Sequence, residues 1–314
     1  MAETTHSLII DASTSTKSAE EETNTDTLIR FLLPDSHSRG VIIRSTEIFK
    51  TANRIHGLNG RLNDDLNSSF AQLFDQTLLA SILLLSISKG GTRQVLQLNG
   101  SPTAPLKKVL SEARQGQVRG YIDWADEHTI LHQHDNVNLS SWLGSPIRLS
   151  TVRDLGFGQP YVSTIEHPSD FLADHLIHYL HQSVQIKADI ILQGDLAIMI
   201  EAMPGCDDEH WFQSVETMAK IPNSALQDET PETLLRYFDS LNIKQVGTDS
   251  YAYHCDCSPE KMLQALRTLP ADQLAELADE AGNITTSCQY CKAHHVINLT
   301  HEHNLSKQSQ DRDG

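Results

Sequence analysis

Four of the five cysteines in the chain lie close together in sequence, as two short pairs. Cys255 and Cys257 form a CxC pair, and Cys288 and Cys291 form a CxxC pair. Residues 258–287 separate the pairs, so the chain must fold back on itself to bring them together. Two thiol pairs that meet in this way supply the four thiolates of a tetrahedral zinc site. The pattern therefore predicts one Zn²⁺ per chain, bound by all four cysteines in the reduced protein.

Other residues near the pairs are weaker candidates for the site. His254, His294 and His295 could bind a metal, but four cysteines already complete a tetrahedral sphere, so we predict that these histidines are not ligands. A CxxC pair is also typical of thioredoxin-like proteins, but no βαβ pattern precedes this one. The fifth cysteine, Cys206, is predicted to be a small apolar residue without a role at the site.

Residues 255–303 are predicted to form a small zinc-binding domain, followed by a polar tail over residues 304–314. Ser258 and Pro259 begin one helix, Pro270 begins a second, and residues 296–297 belong to a strand. Few large apolar residues lie in this segment, too few for an independent core. Structural zinc contributes about 10–16 kcal/mol to folding, which would supply the missing free energy.

The remainder of the chain predicts an α+β fold. Residues 1–26 are rich in Thr, Ser and Glu and are predicted to form a disordered extension. In residues 27–206, short β-prone runs and capped helices alternate, which predicts an N-terminal mixed α/β core domain.

Residues 207–254 are predicted to be an amphipathic helical linker, because apolar residues recur there at helical spacing. Such short helices persist only if their apolar faces pack against another part of the protein. A helical hairpin that belongs to the core domain is the simpler interpretation of the spacing. The position directly before the CxC pair keeps the linker interpretation open.

The charge of the chain limits its partners. The net charge is -17, which disfavours nucleic-acid binding, since a phosphate backbone would be repelled. The apolar run over residues 78–87 is too short to span a bilayer, and residues 1–27 lack the features of an export signal. We therefore expect no nucleic-acid or membrane partner and a cytoplasmic location.

Three segments of the sequence resemble the heat shock protein 33 family of redox-regulated holdase chaperones. They are residues 117–121 (QVRGY), residues 202–205 (AMPG), and the segment that contains both cysteine pairs with residues 265–270 (ALRTLP) between them. The resemblance covers residues 27–303 and is strongest around the cysteines. It implies the family fold: a core domain, a linker and a C-terminal zinc domain.

The resemblance also implies a function, which is that of a chaperone and not of an enzyme. In the family, oxidation activates an ATP-independent holdase that binds unfolded client proteins. It implies that oxidation forms the disulfides Cys255–Cys257 and Cys288–Cys291, releases zinc and unfolds the linker. We also expect that the oxidised chain can form a homodimer. The unfolded linker would present its large apolar residues to clients, namely Trp211, Phe212, Leu234, Leu235, Tyr237 and Phe238.

Two other classes of protein remain open on sequence grounds. One is a cytosolic enzyme with a structural four-cysteine zinc site, although the chain has no Gly-x-Ser-x-Gly, P-loop or His-Glu-x-x-His motif. The other is an adaptor that binds protein or RNA constitutively. Redox dependence separates the three, because only the chaperone should gain activity when it loses zinc.

Overall fold

The computed structural model of the chain describes residues 25–58, 64–88, 90–125 and 138–298. Most of the predicted N-terminal extension and the whole polar tail lie outside the described residues. The strands are β1 (Asp26–Leu33), β2 (Ser38–Arg44), β3 (Arg93–Asn99), β4 (Leu106–Arg114), β5 (Gln117–Trp124), β6 (Ile147–Asp154), β7 (Tyr161–His167), β8 (Ala188–Gln193), β9 (Leu196–Ala202), β10 (Lys244–Tyr253), β11 (Asn283–Ser287) and β12 (His294–Asn298). The helices are α1 (Thr46–His56), α2 (Asp64–Ile87), α3 (Leu139–Leu143), α4 (Leu172–Tyr179), α5 (Asp208–Ala219), α6 (Asn223–Asp228), α7 (Pro231–Leu234), α8 (Pro259–Leu266) and α9 (Ala271–Leu277).

Ten strands form one twisted sheet in the order β7-β6-β3-β4-β5-β10-β1-β2-β9-β8. Of the pairings in the described sheet, only that of β5 with β10 is parallel. β11 and β12 form a separate antiparallel hairpin. Helices and a large sheet together confirm the predicted α+β class.

Strands β1, β2 and β9 are apolar on both faces. On β1, Leu28 points into a cluster with α1, α2 and α4, whereas its neighbour Ile29 points into a second cluster on the opposite face. Successive side chains of a strand point to opposite faces, so this alternation buries both faces of the sheet. The segment Phe70–Ile87 of α2 is long and apolar enough to cross a membrane, but 78% of it is buried inside the fold. It forms the centre of the first cluster.

Helices α5, α6 and α7, together with the 3-10 segment Leu235–Leu241, cover the second face. The sheet side of this cluster comes from β1, β2 and β9, including Phe31, Ile42 and Ile198. The helical side includes Met218, Leu226, Leu234, Phe238 and Leu241. The predicted helical segment therefore rests on the core sheet, and none of its described cluster partners comes from the cysteine domain. This is the arrangement that the simpler interpretation, a hairpin of the core domain, requires.

The predicted helical linker, residues 207–254, ends in a strand, because β10 occupies Lys244–Tyr253. From here on, the linker denotes residues 207–241. Asn242 adopts the left-handed conformation (φ 55°) and ends the helical segment, and β10 follows. β10 lies between β5 and β1 and so joins the two halves of the sheet. A backbone ladder with β1, from Asp26↔Tyr251 to Leu32↔Lys244, determines this conformation. The sequence of β10 has no apolar alternation from which a strand could be predicted.

Two further strands, β4 and β11, were not predicted from the sequence. β4 lies between β3 and β5, and β11 pairs with the predicted strand β12. The extended conformation of both strands depends on pairing with their partners, since β4 carries charged residues at exposed positions and β11 is only five residues long.

Candidate metal centre

Two loops carry the four cysteines. The CxC pair follows β10 directly and precedes α8, whose N-cap Ser258 accepts a hydrogen bond from the Lys261 backbone N–H. The CxxC pair lies in the turn between β11 and β12. This turn is closed by Cys288 N–H donating to Ala293 O at 2.8 Å and by Lys292 N–H donating to Cys288 O at 2.8 Å. The hairpin thus places the second pair beside the first.

The four sulfur atoms converge on one point. All four lie within 4.8 Å of one another, with Cys255 Sγ 3.7 Å from Cys288 Sγ and Cys257 Sγ 3.3 Å from Cys291 Sγ. A zinc–sulfur distance of about 2.3 Å in a tetrahedron places neighbouring sulfurs about 3.8 Å apart. The donor set and its spacing therefore fit a tetrahedral metal ion. Among the described residues, these cysteines are the only group of His, Cys, Asp or Glu that converges in this way.

One of the three nearby histidines lies next to the sulfurs. His295 Nε2 is 3.3 Å from Cys257 Sγ, within hydrogen-bonding distance. His294 Nδ1 instead bonds Ser287 Oγ at 2.8 Å, and His254 is exposed. His295 therefore shares a hydrogen bond with Cys257, and the four cysteines alone suffice for a tetrahedral ligand set.

The thiols differ in their surroundings. Burial, followed by the neighbouring Cys288, raises the pKa of Cys255 to about 11. Burial likewise raises the pKa of Cys257. Burial alone would raise the pKa of Cys288 as well, but hydrogen bonds from the Cys291 and Tyr290 backbone N–H groups lower it below its ordinary value. Cys255 and Cys257 would therefore need a nearby cation to be held as thiolates.

The cysteine domain has little core of its own. Helices α8 and α9 contain no buried residue. The buried residues of the described part of the domain are Ile284, Cys288 and Ile297. A segment of this size cannot fold on so little apolar burial, so a crosslink at the cysteines has to stabilise it.

The sequence model of the Hsp33 protein family matches residues 26–298. The chain belongs to the Hsp33 family. The resemblance predicted from the sequence is confirmed, and it supports a chaperone function.

Relatives of this Hsp33 chain match over nearly its whole length. The 33 kDa chaperonin of Geobacter sulfurreducens is 29% identical and covers 90% of this chain and 94% of its own. That of Bacillus subtilis is 24% identical, over 87% of this chain and 95% of its own. The crystal structure of the 33 kDa chaperonin (heat shock protein 33 homolog) of Thermotoga maritima has a TM-score of 0.69 at 22% identity, covering 90% of this chain and 99% of that one. This structure shares the fold.

Two core residues that contact the cysteine loops had no role in the sequence analysis. Arg119 belongs to the QVRGY segment, which was noted only as a point of resemblance to the Hsp33 family. Its guanidinium donates to Asp256 Oδ1 at 2.8 Å, lies 4.3 Å from the centroid of the Tyr290 ring and is 3.8 Å from Cys255 Sγ. The second residue is Tyr253, at the end of β10, whose hydroxyl lies 2.7 Å from Tyr290 O.

A buried carboxylate holds Arg119 in place. Glu112 is 2% exposed and accepts hydrogen bonds from Arg93, Arg114 and Arg119. Burial alone would raise the pKa of Glu112, but the bond from Arg93 and the charge of Arg119 lower it below its ordinary value. Glu112 is therefore ionised at neutral pH and fixes the guanidinium against the core.

The six linker residues predicted to bind clients differ in exposure. Leu234 and Phe238 are fully buried, Leu235 is 9% exposed, and Trp211 and Tyr237 are half-buried against the same cluster. Phe212 is 64% exposed. Apart from Phe212, these side chains are covered by the core sheet in this conformation. Their role in client binding stays a prediction.

Proposed function

We propose that this Hsp33 chain is a redox-regulated, ATP-independent holdase that oxidation of the four cysteines activates. One structural observation carries the proposal. A helical segment covers an apolar sheet face, and the strand that follows it, β10, ends two residues before the first cysteine of an oxidisable site. An oxidisable crosslink and a covered apolar surface are therefore directly connected in the chain.

The resident cofactor in this proposal is one zinc ion. Cys255, Cys257, Cys288 and Cys291 would hold it, and His295 would donate a hydrogen bond to the Cys257 sulfur. When bound, zinc would keep the four sulfurs as thiolates and tie the two loops together. In the chain-entropy account, closing a loop of this length contributes about 3–4 kcal/mol, in addition to metal binding itself.

Oxidation converts these ligands into groups that bind no metal. In each pair, two thiolates lose two electrons as an S–S bond forms, and one molecule of hydrogen peroxide accepts these electrons together with two protons from solvent and becomes two waters. We propose that the disulfides form within the pairs, as Cys255–Cys257 and Cys288–Cys291. Their loops of three and four residues contribute only about 1.5–2 kcal/mol each, so the long closure is lost.

The folded geometry does not by itself favour this pairing. The sulfur contacts of 3.7 and 3.3 Å join a cysteine of one pair to a cysteine of the other. Pairing within the pairs therefore requires that the domain loosens first, after which the neighbouring thiols have the highest effective concentration. This is why mild heating together with peroxide should be more effective than peroxide alone.

Loss of the crosslink would loosen β10 and then the linker. Arg44 on β2 binds the linker to the sheet, because its Nη2 donates to Leu226 O at 2.7 Å and to Glu229 O at 2.9 Å, at the end of α6. Displacement of the helices would expose both their own apolar residues and the sheet face below them. Unfolded client proteins are the partners that such surfaces bind, and a homodimer of the oxidised chain would cover the same surfaces. The proposed location is the cytoplasm.

An aggregation assay tests the proposal. Light scattering of a heat-denatured client is followed without ATP, in the presence of reduced or peroxide-oxidised protein, with zinc measured by elemental analysis. We expect one zinc per reduced chain, strong suppression of scattering by the oxidised protein and little by the reduced protein. A Cys206→Ser variant should behave like the wild type, and a Cys288→Ser/Cys291→Ser variant should lack zinc. Equal suppression by both redox forms would indicate a constitutive adaptor instead.

A further inference from the structure

Strand β10 is held unevenly by its two neighbours. It pairs with β1 over most of its length, but with β5 only at Ala252↔Gln117 and Tyr253↔Val118. Two further backbone bonds continue this contact, from Ala252 N–H to Gly116 O at 3.1 Å and from His254 N–H to Val118 O at 2.9 Å. The backbone ladder at the end of β10 that leads into the cysteines is therefore short, and side-chain contacts add to it.

Tyr253 supplies one such contact. Its hydroxyl lies 2.8 Å from Gly120 O on β5, 2.9 Å from His56 Nε2 at the end of α1, and 2.7 Å from Tyr290 O between the CxxC cysteines. The hydroxyl thus joins a core strand, a core helix and the second cysteine loop. A side chain at Gly120 would not fit without a shift of its neighbours, because a Cβ there would lie 2.7 Å from Leu110 O and 2.9 Å from the Phe74 side chain.

Arg119 supplies the other contact. The side chain is 18% exposed and is anchored on the core side by Glu112, at 3.2 Å. On the opposite side it reaches both cysteine loops: Asp256 between the CxC cysteines and the Tyr290 ring between the CxxC cysteines. Both contacted residues lie inside a cysteine pair, Asp256 inside the CxC pair and Tyr290 inside the CxxC pair. Closing a three- or four-residue disulfide loop in either pair must reshape this backbone.

We propose that Arg119 and Tyr253 form a latch through which the reduced cysteine site holds the C-terminal end of β10 in the sheet. The latch rests on the proposed redox function and supplies the route from the cysteines to the linker. Oxidation draws Asp256 and Tyr290 out of reach, the end of β10 leaves β5, and the linker loses its C-terminal anchor. Both residues are positioning residues, since neither supplies a ligand to the cysteine site.

Substitution of each latch residue in the reduced protein tests this proposal. Arg119→Gln removes the guanidinium, and Tyr253→Phe removes only the hydroxyl. Arg114→Gln is the matched control for the first, because Arg114 also binds Glu112 but has no described contact with the cysteine loops. Tyr121→Phe is the control for the second, because its ring contacts Tyr290 at 5.2 Å and no described hydrogen bond uses its hydroxyl.

Hydrogen exchange measured by mass spectrometry and zinc content measured by elemental analysis are the readouts. We expect both latch variants to keep one zinc per chain while exchange over residues 244–254 becomes at least about tenfold faster, with both controls unchanged. Exchange over residues 207–241 should rise in the same variants. If Arg119→Gln does not fold, Tyr253→Phe decides.

Two results would overturn the latch. One is wild-type exchange over residues 244–254 in both latch variants, and the other is loss of zinc from both, which would make them supports of the metal site itself. The holdase assay on the oxidised wild type judges the proposed function separately. With that assay positive, unchanged exchange overturns the latch alone. With that assay negative, the redox function is wrong, and the exchange data still decide whether the two residues hold β10.

Discussion

Truncation of Phe238 tests whether the linker is held by its apolar contacts with the sheet. Phe238 is fully buried, and its ring centroid lies 5.3 Å from that of Phe31 on β1. Phe238→Ala removes a large side chain from the centre of the second cluster and leaves a cavity between the helices and the sheet. The covalent connections and the cysteine site are unchanged.

The magnitude follows from the burial of this ring. Truncating a fully buried Phe to Ala costs about 3–5 kcal/mol, which includes the cavity and the lost aromatic contact. Since each 1.4 kcal/mol is tenfold in an equilibrium constant, the population of the open linker should rise by roughly 150- to 5,000-fold. The linker would then open often in the reduced protein, without oxidation.

Hydrogen exchange of the reduced protein is the direct assay. Exchange over residues 208–241 should accelerate by up to that factor, while β3 (residues 93–99), whose Leu96 and Leu98 lie in the first cluster, keeps its protection. Phe212→Ala is the matched control, because it removes the same ring from an exposed position on the same segment. We also expect reduced Phe238→Ala to suppress client aggregation more than the reduced wild type.

Unchanged exchange over residues 208–241 in Phe238→Ala would refute the reasoning that packing on the sheet holds the linker. An equal loss of protection over residues 93–99 would also contradict it, since the linker and the core would then open as one unit. The exchange readout is independent of any contribution of Phe238 to client binding.

Three further predictions follow from the contacts described above. Peroxide with mild heating should form disulfides within the CxC and CxxC pairs and leave Cys206 reduced; peptide mapping that finds mainly links between the pairs would contradict this. Arg44→Gln removes charge-assisted bonds to two carbonyls of the linker, worth about 1.5–3 kcal/mol, and should accelerate exchange over residues 223–229, whereas Arg39→Gln on the same strand should not. Burial raises the pKa of Asp75 well above its ordinary value, so the free energy of unfolding of the wild type should fall as pH rises from about 4 toward the folded-state pKa. Asp75→Asn should remove this fall. Urea unfolding at pH 5 and pH 8 checks it, and a variant that gains no stability relative to the wild type between these two pH values would contradict the reasoning.

The cysteine site could be predicted because its information is local. Ligand chemistry requires four soft donors, and two short pairs supply them whatever the surrounding fold. The caps of α7 and α8 were predictable for the same reason: Thr230 and Ser258 accept hydrogen bonds from the first turns of their own helices. The low apolar content of the cysteine domain is a property of composition, and the sparse burial in the structure agrees with it.

The sequence by itself determined the four-cysteine set of the candidate site, the helical pattern of residues 207–241 and the polarity of those helix faces, because these depend on residues a few positions apart. Only the tertiary structure decided what those faces pack against and which core residues contact the cysteine loops. β10 is a strand because β1 and β5 offer it unpaired backbone groups, and the linker lies on the sheet because strands distant in sequence present a second apolar face there. The contacts of Arg119 with Asp256, and of Tyr253 with Gly120 and Tyr290, join residues 37 to 137 positions apart. Such contacts form only after the chain has closed its long loops, so no local sequence pattern predicts them.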